Sequence, residues 1–164
     1  MAESIFISAD LKDKAAVYAE LIPQIEALLS GENNEIATLA NAAAAIQQVF
    51  QHHWTGFYIV RGNELVLGPF QGPIACTRIA LGRGVCGTAW KEKRTLVVAN
   101  VEEFPGHIAC SALSKSEIVV PVFHANGEVA AVLDIDSAFL AAFDHNDQEG
   151  LEKICSLITK LIYA

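Results

Sequence analysis

The sequence predicts an α+β fold, an α/β sandwich in which helices from both ends of the chain cover one face of an antiparallel sheet. Three observations carry this. Two stretches of helical period come first, short β-branched and aromatic runs separated by tight turns fill the middle, and one amphipathic stretch closes the chain. A length of 164 residues, 52% of them hydrophobic, suits one domain over residues 1–164 with enough apolar surface for a proper core.

Residues 11–30 place Leu11, Ala15, Val17, Tyr18, Leu21, Ile22, Ile25, Leu28 and Leu29 near helical period and stop at Gly31, which reads as the first helix. Asn33 and Asn34 offer caps for a second over 35–50, where alanines supply propensity and Ile36, Leu39, Ile46 and Phe50 a buried face. From Trp54 the runs become short and β-prone: 54–60, a turn at Arg61-Gly-Asn63, then 64–67 make a hairpin. Residues 76–81 predict a strand, 85–91 a short helix opened by Gly82-Arg-Gly84, 95–99 a strand, and 100–114 an irregular loop. The clearest hairpin follows, with 116–124 and 128–136 flanking Ala125-Asn-Gly127. Asn146 or Asp147 then caps a last helix bearing Leu151, Ile154, Cys155, Ile158, Leu161 and Ile162 on one side. If the helices share one face of the sheet, the other is left open for the cysteine-bearing loops, and a site is expected there.

A formal net charge of -8 with no basic patch argues against nucleic acid or an anionic membrane as partner. The N-terminus lacks the basic start and apolar run of a signal peptide, and no stretch approaches the roughly 20 apolar residues of a membrane span, so a cytoplasmic protein is expected. In a reducing compartment four cysteines are poor candidates for permanent disulfides, and a cystine formed there is catalytic or redox-sensing.

Cys155 falls on the apolar stripe of the last helix and reads as core. Cys76, Cys86 and Cys110 instead lie in Gly/Pro-punctuated stretches of the kind that form functional loops, which points to thiol chemistry. A zinc site is disfavoured, because there is no C-x-x-C pair and His107-Ile-Ala-Cys110 is an isolated near-match. His52 and His53 are expected at a helix end, where cations are favoured.

Asp134 and Asp136 are two apart on a strand and share a face, opposite Leu133 and Ile135. Pairing around Asn126-Gly127 brings Ser116 and Glu117 near them, so three carboxylates can line one pocket. Crowded like charges raise at least one pKa, leaving a neutral acid that can give a proton while the others hold an ammonium group. Trp54 and Tyr58 also share a face and can form a wall for a methyl or thioether group.

In these strings the chain resembles the GAF-domain free methionine-(R)-sulfoxide reductases. The resemblance rests on Gly68-Pro-Phe-Gln-Gly-Pro-Ile-Ala-Cys76, Gly82-Arg-Gly-Val-Cys86-Gly-Thr88, Gly106-His-Ile-Ala-Cys110, Ser116-Glu-Ile-Val-Val-Pro121 and Val132-Leu-Asp-Ile-Asp-Ser137. It implies a single GAF domain, a cytosolic homodimer that reduces the R epimer of free L-methionine sulfoxide, thioredoxin as reductant, and no metal or organic cofactor. Cys110 would be the nucleophile, Cys76 the resolving thiol and Cys86 a secondary resolving thiol. Glu117, Asp134 and Asp136 would line the substrate site, with Trp54 against the methyl group. The chain departs from many relatives at Ser111, where an acid follows the cysteine, and at Asn100, where they have Asp.

Under this resemblance the Cys110 thiolate attacks the sulfoxide sulfur, and Glu117 or one of the Asp pair protonates the leaving oxygen. The resulting sulfenic acid condenses with Cys76, and thioredoxin reduces the disulfide. Two other readings of the residues remain, a GAF domain that senses a small molecule and a peroxide-responsive thiol switch. Neither requires three cysteines, a paired Asp strand and Glu117 together, so the reductase is the expectation.

Overall fold

The computed structural model describes residues 4–107 and 110–164; Ile108 and Ala109, inside the Cys110 string, lie outside the described residues. The first helix, α1 (Lys14–Leu29), starts three residues later than the apolar period suggested. Asp13 caps it by accepting from the Ala16 N–H, and Leu11, counted on the stripe, is left 56% exposed before the cap. The second, α2 (Glu35–Phe50), is capped by Asn34, whose side chain accepts from Ala37 N.

The sheet is built from β1 (Trp54–Arg61), β2 (Glu64–Gln71), β3 (Arg78–Ala80), β4 (Leu96–Val98), β5 (Ser116–Phe123) and β6 (Val129–Ser137), in the antiparallel order β3-β2-β1-β6-β5-β4. The helix α3 (Gly84–Glu92) follows β3, and α4 (His145–Ile158) closes the chain before a final π-type turn over Thr159–Tyr163. β2 runs four residues beyond the predicted 64–67, through Gly68 and Pro69. It does so because the β1–β2 register slips between Gly56 and Tyr58, and such an irregularity accommodates a proline without a ladder hydrogen bond. Cys76, expected at the head of the next strand, lies outside β3.

The cap of α4 is Asp144 rather than Asn146 or Asp147. Its carboxylate accepts from both of their N–H groups, while Asp147 reaches back to the Asp144 N–H as the partner of a capping box. Asp147 is also fully buried and accepts from the Tyr18 hydroxyl at 2.9 Å and from Lys14 Nζ, which joins α4 to α1.

α1, α2 and α4 cover one face of the sheet, where Leu21, Ile25, Leu39, Ile46, Phe57, Ile118, Leu133, Ile135, Leu151 and Ile154 form the main core. Cys155 belongs to this core, as its place on the stripe predicts. The opposite face carries the cysteine-bearing segments, as expected, and a helix besides. α3 packs over it and makes a second core from Tyr58, Ile79, Val85, Ala89, Val119 and Val132. Ala130 and Val132, beside the Asp pair, are therefore fully buried. Among the described residues no helix is long and apolar enough to cross a membrane.

Candidate active site

Strand register builds the floor of the site. Asp136 of β6 stands between Trp54 of β1 and Glu117 of β5, and Asp134 stands between Gly56 and Val119. All of these side chains face α3, because residues two apart on a strand share a face. The rung Trp54–Asp136–Glu117 thus sets an aromatic ring beside two carboxyl groups, and Asp134 lies one rung further in.

Two glycines make room for the Trp54 indole. A Cβ on Gly56 would lie 2.6 Å from Trp54 Cη2 and 2.4 Å from Phe70 Cβ. Gly72 holds φ +141°, and a Cβ there would lie 2.7 Å from Trp54 Cδ1. The indole stacks on Phe70 at 5.2 Å and on Tyr58 at 5.8 Å. Both polar tips of this wall hold the segment before and around Cys76: Trp54 Nε1 donates to the Pro73 carbonyl at 3.1 Å, and the Tyr58 hydroxyl donates to the Cys76 carbonyl at 2.9 Å.

Cys76 and Cys110 are joined by a disulfide with a Cα separation of 5.7 Å, within the range such a bond requires. Cys110 is exposed and lines a cavity shared with Trp54, Tyr58, Cys86, Glu117, Asp134 and Asp136. Cys76 is half-buried and is not part of the lining. The sequence-predicted residues thus meet at one place, with the disulfide at its mouth and the carboxyl groups at its floor.

Glu117 and Asp134 are 6% and 5% exposed, so their charges are expensive. Burial pushes Glu117 well above the usual carboxylate range, and the neighbouring charges of Asp134 and Asp136 push it further. Burial and the charge of Asp134 likewise raise Asp136, opposed by the Ser114 hydroxyl, which donates to its Oδ1 at 3.0 Å. Asp134 is raised by burial and held down by hydrogen bonds from Glu117 and Cys86. The physical reading is one proton held between Glu117 and Asp134, with Glu117 as its carrier. Asp134 Oδ1 is fully buried and has no N–H or hydroxyl donor among the described residues.

The Cys86 thiol lies 4.0 Å from Glu117 Oε1, and burial followed by the three acids pushes it well up, so it stays protonated at neutral pH. Cys86, Glu117 and Asp134 each offer a ligand atom within 4.8 Å of the others, the group among the described residues whose donors could hold a metal ion.

The histidines divide in a way their sequence positions did not suggest. His52 is not a cation at a helix end: its ring lies between Phe50 and Phe143, and burial pushes it down to about 4, so it is neutral. His53 faces the cavity, with Nε2 3.0 Å from Ser111 Oγ next to Cys110, and His107 lines the same cavity. The signal for the partner of Ser111 was only that His53 precedes Trp54. Arg83 and the first turn of α3 complete the lining and bring positive potential to it.

Comparison with known proteins places this arrangement in a family. The GAF domain model matches residues 34–162. The chain is 57% identical to "GAF domain-containing protein A" of Dictyostelium discoideum, over 96% of this chain and 99% of that protein. It is 41% identical to the free methionine-R-sulfoxide reductase of Saccharomyces cerevisiae, over 97% of this chain and 92% of that one. The free methionine-R-sulfoxide reductase of Neisseria meningitidis, solved in complex with its substrate, superposes with a TM-score of 0.93 at 49% identity, covering 98% of this chain and 95% of that chain. With fold and sequence matched over more than nine-tenths of these relatives, the chain belongs to the GAF domain family and, within it, to the free methionine-R-sulfoxide reductases.

Proposed function

We propose that this protein reduces free L-methionine (R)-sulfoxide to L-methionine through a sulfenic acid on Cys110 and a Cys76–Cys110 disulfide that thioredoxin reopens. The observation that carries this reading is the disulfide itself, set at the mouth of a cavity floored by a buried proton-bearing acid cluster. The names of the relatives support the R epimer as substrate; thioredoxin as reductant, a homodimeric state and a cytoplasmic location are part of this proposal.

In the reduced enzyme the Cys110 thiolate attacks the sulfoxide sulfur. The oxygen leaves as it is protonated, and the proton comes from the Glu117 carboxyl, with Asp134 and Asp136 as the anionic members of the cluster. With a second proton from solvent the oxygen departs as water, leaving Cys110 Sγ bonded to the substrate sulfur. Water then attacks Cys110 Sγ and breaks that S–S bond, releasing the thioether and one proton and leaving a sulfenic acid, so that Cys110 loses the two electrons the sulfoxide gains. Cys76 then condenses with it, releasing water and forming the disulfide. Cys86 is the secondary resolving thiol in this reading, disadvantaged because it is buried and held neutral. A dithiol reductant finally reduces the disulfide by exchange at the exposed Cys110.

The unpartnered Asp134 Oδ1 and the neighbouring Asp136 suit the α-ammonium group of a free amino acid. Arg83 and the N-terminal turn of α3 suit its α-carboxylate. The stacked Trp54 faces the methyl end. A methionine sulfoxide within a peptide lacks both charges and would leave the buried acids without a cationic partner.

The experiment that tests the cycle is a turnover count with Cys76→Ser. The variant is expected to convert one equivalent of the sulfoxide and then stop, with the sulfenic acid on Cys110 detectable by a trapping reagent. Repeated thioredoxin-driven turnover by a Cys76→Ser, Cys86→Ser double variant would contradict the assignment. Asp136→Asn tests recognition: KM for the free sulfoxide should rise on the order of tenfold or more, for the loss of a charge-assisted hydrogen bond, while alkylation of the reduced Cys110 is unchanged. Equal KM values for free and N-acetylated sulfoxide in the unmodified enzyme would refute ammonium recognition.

A further inference from the structure

We infer that Cys86, Glu117 and Asp134 form a binding site for one thiophilic divalent cation of the Zn²⁺ class, which occupies the floor of the cavity and excludes the substrate. Nothing in the reductase cycle needs a metal, so the site is inhibitory. Exclusion of substrate rests on the proposed reductase reading, but the coordination itself does not.

The donor set is one sulfur and two carboxylate oxygens, which suits a borderline cation such as Zn²⁺ better than Mg²⁺ or Ca²⁺. The three ligand atoms lie within 4.8 Å of one another, and Cys86 Sγ is 4.0 Å from Glu117 Oε1. Tetrahedral zinc with bonds of about 2.0 Å to oxygen and 2.3 Å to sulfur separates such atoms by about 3.5 Å. Small side-chain rotations therefore close the set, and both strands and α3 hold the backbones in place.

A second observation independently points to a missing partner. Asp134 is 5% exposed, and its Oδ1 has no N–H or hydroxyl donor among the described residues. None of the ion pairs among the described residues involves Glu117, Asp134 or Asp136. A dication supplies in one atom the positive charge this cluster lacks. On binding, the Cys86 thiol and the Glu117 carboxyl give up their protons to solvent and become ligands. Three protein ligands leave a fourth position facing the cavity, the pattern of a site that keeps an exchangeable water. The ion then holds the carboxylates that would otherwise bind the substrate ammonium.

The test is a Co²⁺ titration of the oxidised protein, in which the disulfide keeps Cys76 and Cys110 from binding metal. Only Cys86 and Cys155 remain as thiols, and they lie in opposite cores. A thiolate-to-cobalt charge-transfer band should appear, saturate at one equivalent, and be abolished by Zn²⁺. It should be lost in Cys86→Ser and kept in Cys155→Ser. Glu117→Gln, which keeps the thiol, should weaken binding by at least the roughly 10- to 100-fold that partners outside the coordination shell are worth. No band with the unmodified protein, or a band that survives Cys86→Ser, would overturn the site. These readouts need no catalysis, so a failed metal site and a failed reductase reading are told apart. In the reductase assay, Zn²⁺ inhibition should be relieved by raising the sulfoxide concentration; inhibition indifferent to substrate would overturn the placement in the cavity.

Discussion

Glu117→Gln is expected to stabilise the protein at neutral pH and to lower kcat by about 10²- to 10⁴-fold, the usual loss when a positioned general acid is removed. The two effects share one cause. In the unfolded chain Glu117 loses its proton near the ordinary glutamate value of 4.5, whereas in the fold burial and the Asp134 and Asp136 charges hold that proton to much higher pH. A folded-state pKa above the unfolded one means that stability is complete below about 4.5 and falls as pH rises above it. Gln removes this loss, and its amide still donates to Asp134, but it cannot deliver a proton to the leaving oxygen. The melting temperature of the parent should therefore fall from pH 5 to pH 8 more steeply than that of the variant. A variant with kcat within tenfold of the parent would move proton delivery to Asp134 or Asp136.

Cys110→Ser is expected to remove turnover entirely, because a serine hydroxyl is neither ionised at neutral pH nor nucleophilic towards sulfur. Cys76 and Cys86 remain in that variant, yet neither replaces it: Cys76 does not line the cavity, and Cys86 is kept protonated by its surroundings. Cys155→Ser is the control, since that thiol lies in the other core with its pKa raised by burial. Thioredoxin-coupled NADPH consumption and sulfenic acid trapping should both vanish with Cys110→Ser and persist with Cys155→Ser. Multiple turnovers by Cys110→Ser would place the nucleophile elsewhere.

The floor of the site was legible before any coordinates because its residues obey a period of two. Asp134 and Asp136 share a face by spacing alone, the Asn126-Gly127 turn sets which β5 residue meets them, and Glu117 duly pairs with Asp136. Trp54 and Tyr58 are legible for the same reason. The meeting of Cys76 with Cys110 is different in kind: it joins two loops 34 residues apart, and loop paths have no period to read. Only the family resemblance anticipated it.

Other features escaped for identifiable reasons. The face bearing the acids carries the cysteine-bearing loops as expected, but α3 packs on it as well, and a nine-residue helix says little in sequence about which surface it will cover. β2 runs through Pro69 past the expected 64–67, and the register slip between Gly56 and Tyr58 that accommodates the proline is a tertiary feature. Asn146 and Asp147 are good capping residue types, yet Asp144 wins because Asp147 is committed to Tyr18 and Lys14 in the interior. His53 and Ser111 lie next in sequence to Trp54 and Cys110, but their contact spans 58 residues and no local pattern announces it.

The most direct test of the account follows NADPH consumption by the reduced enzyme with thioredoxin, thioredoxin reductase and the separated R and S epimers of free methionine sulfoxide. The account predicts steady turnover of the R epimer and little of the S epimer or of N-acetylated substrate. A folded protein that turns over neither epimer while thioredoxin remains active would contradict it.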